Sequence, residues 1–162
     1  MSAFEDIDWE TWSPTTRATL LFVIDGPRGL FIRKKRGLGM GKINAPGGHI
    51  EKGETPLQAA ERELMEEVGV KAIGTRERGE LFFQFTDGLR LHCHVFEARE
   101  HTGDPVETDE ARPMWLALDA LPYEEMWADD RVWLPQMLEG QSFVFHGLFD
   151  GDTMLGHTIR LG

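Results

Sequence analysis

A mixed α/β fold is predicted by three features of the sequence. Short apolar strands joined by Gly- and Asp-rich turns dominate the chain, one strongly punctuated amphipathic helix follows the first hairpin, and a second helix precedes the last hairpin. Thr19 to Ile24 is an apolar run that reads as a buried strand, Asp25-Gly26-Pro27 is turn chemistry, and Gly29 to Ile32 reads as its partner. Residues 36–48 carry five glycines and Pro46 and read mostly as loop. Thr55 is a helix N-cap, Pro56 stands at the first helical position, Thr55-x-x-Gln58 forms a capping box, and Gly69 ends the helix. Glu80 to Phe85 and Leu89 to Ala98 flank Thr86-Asp87-Gly88 as a second hairpin, residues 99–110 read as an acidic loop, and Pro113 to Leu118 as a strand. Residues 119–139 read as a short helical stretch, a loop at 126–130 and a second helix. A last hairpin turns at Asp150-Gly151-Asp152.

The 162 residues suit one domain: residues 17–162, preceded by an acidic arm, 1–16, that Trp9 and Trp12 pin down. With 41% hydrophobic residues the chain can bury a core. One cysteine, Cys93, excludes a disulfide framework and a Cys-rich zinc site, and suits a reducing, cytoplasmic setting. No apolar run approaches the roughly 18 residues of a membrane span. The start is acidic where a signal peptide is basic and then apolar. A formal charge of −11 argues against a stable nucleic-acid partner. Nothing in the sequence specifies an oligomeric state.

The acids are unevenly placed. Six of 28 lie between Glu51 and Glu67, just after the basic run Arg33-Lys34-Lys35-Arg36. At 100° per residue Leu57, Ala60, Leu64 and Val68 share an arc of about 80°, and Glu63, Glu66 and Glu67 share a neighbouring arc of about 100°. Like charges at this spacing cost a few tenths of a kcal/mol per pair, and Arg62, the nearby cation, falls on a different side. A divalent cation relieves that repulsion, and hard oxygen ligands suit Mg²⁺, with Mn²⁺ as a substitute. Next to a basic strand, the face suggests metal-assisted attack on a polyphosphate. Charge alone fits a solvated, mutually neutralising surface equally well.

The run Gly48-x5-Glu54-x7-Arg62-Glu63-Leu64-x-Glu66-Glu67-x-Gly69-Val70 resembles the complete signature of the Nudix hydrolases. That resemblance implies an α/β/α sandwich with a mixed central sheet, and hydrolysis of a nucleoside diphosphate linked to a further group. It implies that Glu63, Glu66 and Glu67 hold the metal with the Gly47 backbone and Glu110, and that Arg62 orients a glutamate.

Over roughly residues 19–160 the chain is similar to the MutT-class oxidised-purine nucleoside triphosphatases, the 8-oxo-dGTP diphosphatases. The segments that carry this are Lys34-Lys35-Arg36-Gly37, Asn44, Gly103-x-Pro105-Val106-Glu107-x-Asp109-Glu110, Arg112-Pro113-x-Trp115 and Met126-Trp127-x-Asp129-Asp130. The implied activity is removal of pyrophosphate from oxidised purine nucleotides, which cleans the nucleotide pool and prevents DNA damage. The implied base pocket is Asn44, Trp127, Asp129 and Asp130, with Thr19, Phe83 and Leu91 on the base side and Lys34 near the sugar. Leu38 and Ile43 stand where the animal enzymes carry aromatic rings, a change expected to loosen the pocket.

Physical chemistry offers a reason for each role. Trp127 can stack a base, and two adjacent carboxyls in an apolar pocket do not both ionise readily, so one retains a proton and donates. On the residues alone, Asp129-Asp130 reads first as a helix N-cap, and Phe83 with Phe85 as a core pair. Rival readings are another Nudix substrate, such as an RNA 5′ end or ADP-ribose, and a non-catalytic nucleotide sensor. His92-x-His94 beside Cys93 suggests zinc, but alternation puts Cys93 on the opposite face, so the segment reads as a structural strand.

Overall fold

The computed structural model describes residues 3–162. Its strands are β1 (Thr16–Asp25), β2 (Arg28–Lys34), β3 (Ile43–Asn44), β4 (Gly47–His49), β5 (Lys71–Ile73), β6 (Arg76–Phe85), β7 (Arg90–Ala98), β8 (Glu100–Thr102), β9 (Ala111–Ala117), β10 (Phe143–Asp150) and β11 (Thr153–Leu161); the helices are α1 (Pro56–Val68) and α2 (Asp130–Leu138). A mixed sheet runs β11-β10-β6-β7-β1-β2-β3, with β4 added on β1 and β9 on β2. The β1–β7 and β6–β10 pairs are parallel, and the other pairs in this sheet are antiparallel.

Strand β1 is apolar on both faces because each face meets a different core. Leu21 and Val23 pack with Ala60, Leu64 and Val68 of α1. Phe22 and Ile24 pack with Trp133, Leu134 and Met137 of α2 and with the phenylalanines of β6 and β10. Two helices on opposite sides of one sheet give the α/β/α sandwich.

Helix α1 has the expected ends. Thr55 accepts from Gln58 N–H, the Gln58 side chain answers at Thr55 N–H, and Gly69 takes φ 73°. The buried stripe differs from the one expected. Leu57, in the first turn, is exposed, while Glu67 is buried with Ala59, Ala60, Leu64 and Val68. With Ala60 at the centre of the arc, Glu67 lies about 20° away, so it belongs to the buried face rather than beside it.

Two further segments depart from expectation. Part of the 99–110 loop is β8, paired with β5 as a two-stranded ribbon that the sequence reading lacks. The glycine-rich stretch contains β3 and β4, which are too short for an alternating pattern to declare them. Residues before β1 pack on the sheet: Trp9 meets His146 edge-on, Trp12 meets Phe82, and Trp12 Nε1 donates to Gln84 Oε1 at 2.9 Å. Among the described residues no helix is long and apolar enough to cross a membrane.

Candidate active site

Arg62 organises the carboxylates of α1. Its Nε and Nη2 donate to the two oxygens of Glu54 at 2.6 and 2.9 Å, and Nη2 also reaches the His49 carbonyl at 3.0 Å. Nη1 donates to Glu63 Oε1 at 2.7 Å and Glu66 Oε2 at 3.1 Å. The expectation that Arg62 points away from the glutamates is therefore corrected: its Cα faces elsewhere, but the long side chain reaches them. This fork holds Glu54 down to about pKa 2, while the Arg62 pKa is raised.

The three glutamates sit at different depths. Glu66 is half-exposed, Glu63 is largely covered, and Glu67 is 3% exposed. Burial raises the Glu63 pKa and lifts Glu67 to about 8, with Glu110 adding repulsion at both. Glu67 Oε1 accepts from Gly47 N–H at 2.9 Å, and Thr108 Oγ1 donates to the Glu67 carbonyl at 2.7 Å. Glu110 approaches from the loop before β9 and pairs with Arg36 at 3.1 Å. A buried carboxylate with one donor, set among other carboxylates and served by one arginine, is a donor set suited to a hard divalent cation.

The glycines before α1 are sterically required. A Cβ on Gly47 would lie 1.9 Å from the Thr19 carbonyl oxygen, and one on Gly48 would lie 2.5 Å from Glu63 Cδ. The backbone of β4 can approach β1 only without a side chain at Gly47, whereas a Cβ at Gly48 would displace the Glu63 carboxylate.

A cavity of about 340 Å³ opens beside this cluster. Gly47, Gly48 and Lys34 line one part of it; Trp127, Asp129 and Asp130 line another. All eight residues expected to bind substrate (Thr19, Lys34, Asn44, Phe83, Leu91, Trp127, Asp129, Asp130) are in its lining. Phe85, Leu89, Cys93 and Phe149 also line it, outside the expected set. Strand alternation places Phe85 with Phe83 and Cys93 with Leu91, whereas Phe149 comes from the last hairpin and has no local signal. Leu38 lines the cavity, but Ile43 is buried in the core beneath, so the missing ring at Ile43 concerns packing rather than the pocket wall.

Trp127 is fixed on several sides. Phe85 and Phe149 meet it edge-on at 6.2 and 5.7 Å, and Lys42 Nζ lies 5.3 Å from its centroid while pairing with Asp152 at 3.1 Å. Gly39, at φ 80°, passes so close that a Cβ there would be 2.8 Å from Trp127 Nε1.

Asp129 makes no side-chain cap to α2; its carboxylate accepts instead from Trp133 Nε1 at 2.7 Å. Both aspartates are 3% exposed. Burial raises the Asp129 pKa to about 6, and burial plus the Asp129 charge raises that of Asp130 well above the usual carboxylate range. Asp130 Oδ2 is buried and receives no hydrogen bond from any donor in the described chain. The capping role expected from the residues alone is thus replaced by a buried acid pair in the cavity wall.

The fold, the signature helix and a match to the NUDIX domain over residues 14–137 place the chain in the Nudix hydrolase family, whose members use a divalent metal. It is 41% identical over 143 residues to an oxidized purine nucleoside triphosphate hydrolase of Danio rerio, covering 87% of this chain and 92% of that one. It is 38% identical over 144 residues to the Mus musculus protein of the same description, covering 88% and 92%. A crystal structure of a mutator MutT protein from Bacillus halodurans superposes with a TM-score of 0.78 at 25% identity, covering 90% of this chain and 97% of that one.

Proposed function

We propose that this enzyme hydrolyses oxidised purine nucleoside triphosphates, such as 8-oxo-dGTP, to the monophosphate and pyrophosphate. The observation that carries the reading is the buried Asp129–Asp130 pair in the wall of a cavity that is also lined by Gly47 and Gly48, the glycines that lie against Glu67 and Glu63. Near neutral pH the raised pKa values leave one proton on the pair, held by Asp130, while Trp133 stabilises the Asp129 carboxylate. The pocket thus presents an ionised acceptor beside a carboxylic acid that can donate. Asn44 adds an amide with both capacities. An oxidised purine, whose N7 has become a donor beside a carbonyl, matches such a mixed edge. Trp127 supplies the stacking surface, and the substrate roles of Thr19, Phe83 and Leu91 are to shape the apolar wall.

In this reading Glu63, Glu66 and Glu67 would hold Mg²⁺ (or Mn²⁺), with Glu110 and the Gly47 backbone completing the set. A divalent cation held there would supply positive charge against the triphosphate and Lewis acidity that eases loss of a proton from water. Arg62 keeps Glu63 and Glu66 aligned, and Gly47 N–H keeps Glu67 aligned. Glu63 or Glu67 accepts the proton lost by the attacking water. Lys34 meets the sugar, and Arg36, once it leaves Glu110, offsets charge on the departing pyrophosphate. The cost of holding several carboxylates in a buried cluster is repaid when the cation binds.

A turnover panel tests the substrate class. Normal and oxidised purine triphosphates, ADP-ribose and 5′-triphosphorylated RNA are compared with Mg²⁺ by pyrophosphate or phosphate release. Preference for the oxidised purine triphosphates, with one pyrophosphate per turnover, is expected. Faster turnover of ADP-ribose or RNA ends, or binding without turnover of any of them, contradicts it.

A further inference from the structure

Side chains of β6 and β7 alternate between two faces. Leu81, Phe83, Phe85 and Cys93 line the nucleotide cavity, so Glu80, Phe82, His92 and His94 belong to the opposite face. The register pairs Glu80 with His94 and Phe82 with His92, which leaves Glu80 diagonal to His92. Glu80 Oε2 lies 2.7 Å from His92 Nε2, and Glu77 Oε2 lies 2.7 Å from His94 Nδ1. One donor atom each from Glu80, His92 and His94 falls within 4.8 Å of the other two. The sequence argument against zinc stands for Cys93, which faces away; the third donor comes from the neighbouring strand, where no local spacing shows it.

The geometry points to a second divalent-metal site formed by Glu80, His92 and His94, for an imidazole-preferring ion such as Zn²⁺ and distinct from the oxygen-only cluster on α1. The Glu77 contact to Nδ1 leaves His94 Nε2 as the lone-pair nitrogen, the carboxylate–histidine arrangement that orients metal-bound imidazoles. The ring of His92 is held by stacking on Phe82 at 4.3 Å, which fixes the direction of its Nε2 toward Glu80. Glu77 and Glu80 bring two carboxylates to the histidines, and Arg17 is the cation that faces His94 from β1. Arg17 is also the competitor. Its Nη2 lies 3.3 Å from His94 Nε2, and its exposed side chain must swing aside before a metal can bind there.

This assignment does not depend on the substrate reading, and its test can fail independently. Co²⁺ alone is the probe, titrated in excess Mg²⁺ and followed by visible absorption and equilibrium dialysis. Wild type is expected to bind one Co²⁺ that Mg²⁺ does not displace. Glu80→Gln and His92→Asn should each weaken that binding by about tenfold or more, and Arg17→Gln should strengthen it severalfold. Glu80→Gln, on the rim of the site, should retain both the wild-type melting temperature and Mg²⁺-dependent turnover, which separates ligand loss from unfolding. No Mg²⁺-resistant Co²⁺ in the wild type overturns the site; so does unchanged Co²⁺ binding in folded Glu80→Gln.

Discussion

Trp133 Nε1 donates to Asp129 Oδ2 at 2.7 Å, with the indole fully buried and the carboxylate nearly so. This bond decides which member of the acid pair ionises first. It stabilises charge on Asp129, whose pKa rises only to about 6, whereas Asp130 lacks such a donor and faces the Asp129 charge. Trp133→Phe keeps a ring against Phe143 and Phe22 but removes the donor. A loss of about 1–3 kcal/mol in urea unfolding at neutral pH is expected, the cost of an unpaired buried acceptor.

The pair makes stability pH-dependent with a definite sign. The folded pKa of Asp129, about 6, exceeds that of a free aspartate, so the folded state holds a proton that the unfolded chain releases. The contribution is fully present below about pH 4 and is lost as pH rises through about 6, and the raised Asp130 pKa extends the fall to higher pH. Urea midpoints across pH 4.5–7.5 should fall less steeply in Asp130→Asn than in wild type. Parallel curves contradict the raised pKa values.

Gly47→Ala and Gly48→Ala should separate folding from catalysis. The first meets backbone, the Thr19 carbonyl at 1.9 Å, and should destabilise by about 3 kcal/mol as β4 is pushed from β1. The second meets the Glu63 carboxylate at 2.5 Å, a movable group, and should leave the melting temperature within a few degrees while turnover falls at least tenfold. Thermal unfolding and turnover of both variants check this.

Glu67→Gln should cost about 100-fold or more in Mg²⁺-dependent turnover, in the range of removing one charge-stabilising group. Because Glu67 is buried with a raised pKa, the neutral amide should not lower thermal stability measured without metal. Near-normal turnover removes Glu67 from the metal set.

Trp127→Ala should raise KM for the nucleotide by roughly ten- to a hundredfold, corresponding to about 1–3 kcal/mol of stacking. Lys42 and the edges of Phe85 and Phe149 hold the ring in place, so Trp127→Leu, which fills part of its space, should keep the fold but recover little affinity. Initial rates over a nucleotide concentration series measure both.

Much of this was legible in the sequence because local signals and global fold agree. Thr55, Pro56, Gln58 and Gly69 delimit α1 to the residue, and the i, i+3, i+4 spacing brings Glu63, Glu66 and Glu67 near one side. What escaped is non-local. Glu67 lies about 20° from Ala60, but that α1 buries the face centred there is set by where β1 and β4 lie. Arg62 was placed by its Cα, yet its reach brings it to Glu54, Glu63 and Glu66. The Glu80–His92 contact and the β5–β8 ribbon join residues across strands, and no periodicity within one segment encodes such pairs.

If the Asp129–Asp130 pair reads the purine edge, the ratio of kcat/KM for 8-oxo-dGTP to that for dGTP depends on it most directly. Wild type should favour the oxidised nucleotide. Asp129→Asn and Asp130→Asn, which preserve shape but remove the shared proton, should reduce the ratio by about tenfold or more, near the cost of one unmatched buried hydrogen bond, while both variants stay folded. Folded variants that hydrolyse the two nucleotides in the wild-type ratio would contradict the base-reading role of the pair.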